Sequence, residues 1–319
     1  MKQAIIRRLM QLRERFPDQK TSLGHEVFDH TLFSHGTPAQ RQEIMHRLSS
    51  SRYELERRNP FESYFGLDLT PFLKGSTVLD LGCFAGGAAI AWMERYGIER
   101  MYGVDVRDIY VQAAQRFAVS KKVNAHFAAS IGEALPFNDN CFDVVLSFDV
   151  FEHVRSVRKV MGECCRILRP GGMLLLVFPG YFHPTEHHLS MVTLTPCLHW
   201  FFSGEDLIEA YNGVLDQRGE EARWYARSSR CLQPWERCNT INGMEVNEFR
   251  CLVHEMEWQV VLDRRLPLLG AGQIVKRAPV LRVVPLVSRI LMRLPFLEEF
   301  LSHRIVYILR KPPLSAVQK

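Results

Sequence analysis

The stretch VLDLGCFAGG, Val78–Gly87, limits the architecture of this chain more than any other. Val78, Leu79 and Leu81 suit a short buried strand, while Gly82, Gly86 and Gly87 supply the positive φ angles and missing Cβ atoms of a tight strand-to-helix turn. A core strand that ends in bare backbone is a place where a ligand can approach the main chain. The rhythm then continues. TVLDLG, RMYGVDV, VNAHFAAS, CFDVVLSFD and GMLLLVFP read as strands, separated by amphipathic stretches at intervals suited to βαβ units. EWQVVLD and HRIVYILRK offer two more strands after a long departure that begins at Phe178. The expectation is an α/β chain with a doubly wound, mostly parallel seven-stranded sheet.

The remaining segments sort around that sheet. Residues 1–75 read as a helical N-terminal extension, in which Thr37, Pro38 and Gln40 form a capping-box start to the helix AQRQEIMHRLSSSRYELERR. In FEHVRSVRKVMGECCRILRPGG, Val154, Val157, Val160, Met161, Cys164, Ile167 and Leu168 recur at helical spacing and the basic residues form a solvated face. Residues 76–180 are then the ligand-binding core, 181–240 an inserted acceptor or lid region, and 241–319 the end of the core with a helical, basic amphipathic insertion. Within 181–240, FFSGEDLIEAYNG predicts a helix opened by Ser203 and Asp206 and stopped at Asn212–Gly213. RWYARSSRCLQPWERC mixes Trp224, Tyr225 and Trp235 with arginines, a composition for stacking a sugar or aromatic group or for packing a lid.

An acid at the end of the second strand, Asp105, stands where a carboxylate accepts hydrogen bonds from both ribose hydroxyls of a nucleotide. A dinucleotide fingerprint in this register would need glycines at 82, 84 and 87. Position 84 is Phe84, whose side chain obstructs the approach of a pyrophosphate. These motifs, together with AASIGEALPFNDNCFDVVLSFDVFEHV and ILRPGGMLLLVFP in the same order and spacing, resemble a class I S-adenosylmethionine-dependent methyltransferase of the type 11 kind. The resemblance runs from about Thr77 to Phe178 and implies a Rossmann-like methyltransferase fold with S-adenosylmethionine as cofactor. By the same resemblance Asp80, Gly82, Cys83 and Gly86 would face the methionine half, and Asp105 and Val106 the ribose. Ser130 and Ile131, with Glu133 close by, would bracket the adenine, and Ser147 and Phe148 would lie beneath the sulfonium. Phe84 departs from the family's common glycine, and Ser130 from its frequent aspartate.

Composition narrows the acceptor only a little. The chain has 319 residues, 47 % of them hydrophobic, and 40 Lys and Arg against 35 Asp and Glu, a modest excess that with no RNA motif argues against nucleic acid. The eight cysteines show no C-x-x-C pair, which fits reduced thiols and lends zinc little support. The start MKQAIIRRLMQLRERF lacks the apolar centre of a signal peptide, and no run approaches the roughly 18 apolar residues of a span, so a cytoplasmic protein is expected. Residues 278–300 mark a candidate peripheral contact with the inner membrane face, because Arg282, Arg289 and Arg293 share one face of an otherwise apolar helix; AIIRRLMQLRERF would assist.

Methyl transfer to a hydroxyl needs a base, and candidates cluster in FPGYFHPTEHHLSMVTLTPCLHWFF. His183 is the expected base, with His187, His188 or Asp149 as alternatives. A metal site from His183, Glu186 and His187 and a plain polar loop are the other readings of the cluster. The expectation is O-methylation of a small-molecule or lipid-linked acceptor: a glycan, a lipid-linked intermediate or a natural product. C-methylation of a quinone-like or polyketide ring, and a cofactor-binding regulator or scaffold without turnover, are the rivals.

Overall fold

The computed structural model describes residues 1–13, 22–23, 26–27, 36–184, 188–189, 192–218, 241–268 and 283–312. Its main helices are α1 (Lys2–Leu12), α2 (Pro38–Arg58), α3 (Gly87–Tyr96), α4 (Asp108–Lys121), α5 (Val157–Ile167), α6 (Gly204–Arg218), α7 (Val246–Glu255), α8 (Val283–Leu291) and α9 (Pro295–Leu301). Seven strands form the large sheet: β1 (Thr77–Leu81), β2 (Arg100–Asp105), β3 (Ala125–Ala129), β4 (Phe142–Phe148), β5 (Leu168–Phe178), β6 (Gln259–Pro267) and β7 (Ser302–Arg310). Their spatial order is β3-β2-β1-β4-β5-β7-β6. Strand β1 pairs in parallel with both β2 and β4, β2 with β3, and β4 with β5. The strand order reverses at β1, which places a crevice at the carboxyl ends of β1 and β4.

The chain divides into two compact units. One comprises Lys20–Val177, Leu252–Arg264 and Val306–Lys319 and holds nearly all of the sheet; the other comprises Met1–Gln19, Phe178–Cys251 and Arg265–Ile305. In the sheet-bearing unit every residue of β1 is buried, as an apolar run with neighbours on both edges requires. Helix α2 starts with the expected capping box: Gln40 N donates to Thr37 Oγ1 at 3.3 Å, and Thr37 N donates to Gln40 Oε1 at 2.7 Å. It then packs on α3 and α4 through Ile44, Met45 and Leu48, which join Ala85 and Ala113 in one cluster. Its approach to the turn after β1 is very close. A Cβ on Gly87 would lie 2.0 Å from the Ser49 carbonyl oxygen and 2.7 Å from the Tyr53 nitrogen.

Helix α5 buries Val157, Val160, Met161, Cys164 and Ile167 of the expected apolar stripe, whereas Val154 precedes the helix and Leu168 opens β5; Ser156 caps the helix by accepting from Lys159 N at 3.3 Å. Its charged face is less solvated than expected. Arg166 donates to Glu163, to Asp139 Oδ1 at 2.8 Å and to the carbonyls of Leu135 and Phe137 at 3.0 and 2.7 Å, so it fastens the loop between β3 and β4.

In the other unit, α1 buries Ile6 and Met10 among Leu207, Ala210, Tyr211 and Val214 of α6, which spends the apolar side of the N-terminal segment on packing. Helix α6 starts where expected, with Ser203 hydrogen-bonded to Asp206, but runs past Asn212–Gly213 to Arg218. Gly213 is used for closeness rather than for a stop, since a Cβ there would sit 2.5 Å from the Arg7 guanidinium carbon of α1. The segment 278–300 is not one helix. Pro295 opens a new one, so α8 and α9 follow each other as two short pieces, and Arg282 lies outside the described residues. Trp224, Tyr225 and Trp235 also lie outside them.

The contact at Gly87 generates a direct test. Gly87→Ala should destabilise the protein by roughly 1–3 kcal/mol, because the added methyl meets backbone that can yield only by moving α2. Urea denaturation checks this, and an unchanged midpoint would contradict the close approach.

Candidate active site

The turn after β1 is shaped by three left-handed residues. Gly82 has φ +85° and Gly86 φ +74°, and a Cβ on Gly82 would lie 2.1 Å from Val150 Cγ2, so a side chain at 82 is excluded on space as well as conformation. Phe84 lies between them at φ +48°, a conformation that explains why glycine suits this position. Its ring packs 4.2 Å from that of Tyr110, with the Arg52 guanidinium 5.7 Å above it. The turn is tied to the next strand: Gly82 N and Cys83 N both donate to the Val104 carbonyl, at 2.8 and 2.9 Å. Asp105 closes the arrangement by accepting from Phe84 N at 3.1 Å and from Arg107 N at 2.9 Å. Val106 N adds a third backbone interaction with the same carboxylate.

Three carboxyl groups are set against one another here. Asp80 is buried at the end of β1, and its carboxyl is pushed up to about 8, first by burial and then by the charges of Asp105 and Glu56. Glu56, near the end of α2, is pushed up to about 7 by burial, opposed by the hydrogen bond it accepts from Phe61 N. Asp105 is raised by burial against the pull of its backbone donors. The Cys83 thiol is held well above its ordinary range by burial and by the two aspartates, which makes it a neutral wall rather than a nucleophile. Ser147, paired with Leu81 across the β1–β4 ladder, is buried, and its Oγ has no hydrogen-bond partner among the described residues.

Glu56 and the rings of Phe61, Tyr64 and Trp92 carry no motif in the sequence, unlike Phe148. The Phe148 ring at the end of β4 meets Phe61 at 5.7 Å and Tyr64 at 5.1 Å, and Phe61 meets Trp92 at 5.0 Å. The signal was the aromatic density of NPFESYF just before β1, with Pro60 breaking the preceding helix; helical periodicity says nothing about where that end reaches. Toward the adenine side, Ser130 N donates to the Asp105 carbonyl at 3.0 Å. Ser130 Oγ is spent on the carbonyls of Ile131 and Ala134, while Val106 and Ile131 are exposed. Glu133 turns the other way: it accepts from Arg155 N and Ser156 N at 2.8 and 3.1 Å and so serves the start of α5.

Asp149 follows Phe148 with φ +54°, a strained conformation for a non-glycine residue at the end of a core strand, and its N donates to the Val177 carbonyl at 2.9 Å. The histidine cluster belongs to the other unit. His183 is buried, and its Nε2 lies 2.9 Å from Nδ1 of His303, a partner more than a hundred residues away in sequence. His199 is buried with Nε2 2.8 Å from the Tyr181 carbonyl, an ordinary structural bond. His188 has φ +56°. Glu186 and His187 lie outside the described residues.

A family model described as a methyltransferase domain matches residues 79–176. A ubiquinone biosynthesis O-methyltransferase of Sinorhizobium fredii is 36% identical over 104 residues, covering 33% of this chain and 41% of that protein. A norajmaline N-methyltransferase of Rauvolfia serpentina is 30% identical over 115 residues, covering 35% and 38%. The chain thus spans about two fifths of the length of these relatives. In overall fold it is similar to a phosphoethanolamine N-methyltransferase of Haemonchus contortus solved with S-adenosyl-L-methionine, with a TM-score of 0.50 at 16% identity, over 93% of this chain and 61% of that one.

The geometry suits S-adenosylmethionine. Asp105 is the group that would hold its ribose hydroxyls, Asp80 and Glu56 those that would face its ammonium and sulfonium charges, and Ser147 Oγ, without a partner among the described residues, lies on the neighbouring strand end. The strand order, the glycine turn and the family match over the same residues make 79–176 a class I S-adenosylmethionine-dependent methyltransferase domain with a Rossmann-like fold.

Proposed function

We propose that this protein is an enzyme that moves the methyl group of S-adenosylmethionine to a hydroxyl of a small-molecule or lipid-linked acceptor, such as a glycan, a lipid-linked intermediate or a natural product. The observation that carries the reading is the gathering of Glu56, Asp80 and Asp105 beside a turn of bare backbone, an acidic pocket made for a cationic nucleotide. The names of the relatives support a small-molecule acceptor; the Sinorhizobium protein is named an O-methyltransferase and the Rauvolfia protein an N-methyltransferase. When bound, the cofactor supplies a methyl group on a sulfonium, whose departure needs no covalent help from the protein.

The chain's residues are assigned the remaining work. Asp105 would fix the ribose, Asp80 and Glu56 would hold the methionine ammonium, and Phe148 with Phe61 and Tyr64 would keep water from the sulfonium. Holding the acceptor oxygen in line in a dry pocket accounts for much of the acceleration in such transfers. His183 would take the hydroxyl proton, and His303 at 2.9 Å would share the resulting charge. Asp149 and His187 are the alternatives for that role.

The acid set sets the pH dependence. Without ligand, the raised carboxyls of Asp80 and Glu56 cost stability as pH rises from the ordinary carboxylate range toward 8, because ionisation is harder in the fold than in the unfolded chain. A bound cation favours the ionised forms, lowers both pKa values and releases protons in that window. The rise in melting temperature given by S-adenosylmethionine should therefore grow between about pH 6.5 and pH 8, and Asp80→Asn should remove most of that slope. A gain that is flat or falls with pH would contradict the assignment.

Turnover is tested by incubating the protein with methyl-labelled S-adenosylmethionine and fractionated aqueous and lipid extracts. Label should appear in a small or lipid-linked product, and His183→Ala should slow transfer by roughly 10²–10⁴ while leaving cofactor affinity unchanged. Full activity in that variant would remove His183 from the chemistry. Cofactor binding with no transfer to any fraction would favour the regulator or scaffold instead.

A further inference from the structure

Helix α8 inverts the ordinary amphipathic pattern. Val283, Leu286, Val287 and Ile290 fall at i, i+3, i+4 and i+7, one face of the helix, and that face points outward: Leu286 is 59 % exposed and Ile290 55 %. Leu294 and Phe296, just beyond the helix, are exposed as well. The residue turned inward is Ser288, at 4 %. A surface that shows water its valines and leucines and hides its serine is built to be covered.

The charges around the stripe say by what. Between Lys276 and Arg293 the sequence has five basic residues and no acid. Arg289 and Arg293 are exposed, one helical turn apart along one flank of the stripe, and neither forms an ion pair among the described residues. The first acids that follow are turned away from this surface and used elsewhere in the same unit. Glu299 is buried and accepts from Val246 N and Asn247 N at 2.9 and 2.8 Å, capping α7, and Glu298 takes both its bonds from Arg250 at 2.9 Å. The exposed surface is thus apolar along its crest and cationic along its flank.

We propose that α8 docks this unit onto an anionic lipid surface, lying in the headgroup plane with Leu286, Val287 and Ile290 in the acyl boundary and Arg289 and Arg293 on lipid phosphates. Among the described residues no helix is long and apolar enough to cross a membrane, and α8 itself has only nine residues, so contact is in-plane. The segment MKQAIIRRLMQL does not share the task, since Ile6 and Met10 are committed to α6. This inference stands independently of the methyl-transfer reading.

Flotation of the full chain with phosphatidylcholine vesicles, with and without phosphatidylglycerol, tests it. The protein should float with the anionic vesicles at low salt and be largely released as salt is raised. Leu286→Ser/Ile290→Ser and Arg289→Gln/Arg293→Gln should each weaken binding by roughly tenfold or more. All four positions are exposed, and unchanged circular dichroism and S-adenosylhomocysteine affinity would show that the variants are folded. No association with anionic vesicles at low salt, or association that neither double variant weakens, overturns the proposal. So does a dimer that the Leu286→Ser/Ile290→Ser variant dissociates without any vesicle binding, which would make the stripe a contact between copies.

Discussion

The backbone of α2 lies against the turn after β1 with no room between them for a single methyl group, and much of the sheet-bearing unit follows from that contact. Close packing of this kind leaves no slack, so the position of α2 is fixed by the turn and the turn by α2. The consequence reaches the far end of the helix. Anchored at Ser49 and Tyr53, α2 delivers Glu56 toward Asp80, and the chain that follows brings Phe61 and Tyr64 against Phe148. What the sequence presents as an N-terminal extension is therefore packed into the sheet-bearing unit beside the turn after β1.

Electrostatics then selects the ligand. Burial raises the pKa values of all three carboxyls, and Asp80 is raised further by the charges of Asp105 and Glu56. A ligand that brings positive charge relieves this strain; a pyrophosphate would add to it and would also have to pass Phe84. The same strand, glycine turn and helix that serve dinucleotides elsewhere are thus turned toward a sulfonium nucleotide by the side chains around them.

The sheet was legible because its signals are local: apolar runs, glycine punctuation, and the capping box of α2 all appear within a few residues of one another. Asp80, Asp105 and Ser147 were legible through the family's motif order. Glu56, the Arg166 hub and the His183–His303 pair were not, since each depends on partners distant in sequence whose approach no periodicity encodes. Gly213 misled for a related reason. A glycine inside a helix reads as a stop until the side chain that needs its empty space, Arg7, is known. Glu133 was placed near the adenine by motif position, and the structure spends it on the backbone of α5. In 278–300 the helical spacing of apolar residues and arginines stops at Leu294, and Pro295 opens a new helix there.

The central claim is that the carboxyls and the turn at the end of β1 accept a nucleoside bearing an ammonium group and reject an anionic dinucleotide. Titration calorimetry with S-adenosylhomocysteine and with NAD, at one pH near neutrality, tests it most directly. The account predicts a saturable isotherm for S-adenosylhomocysteine whose heat varies with the ionisation enthalpy of the buffer, the mark of proton release, and none for NAD. Saturable binding of NAD without binding of S-adenosylhomocysteine would contradict it.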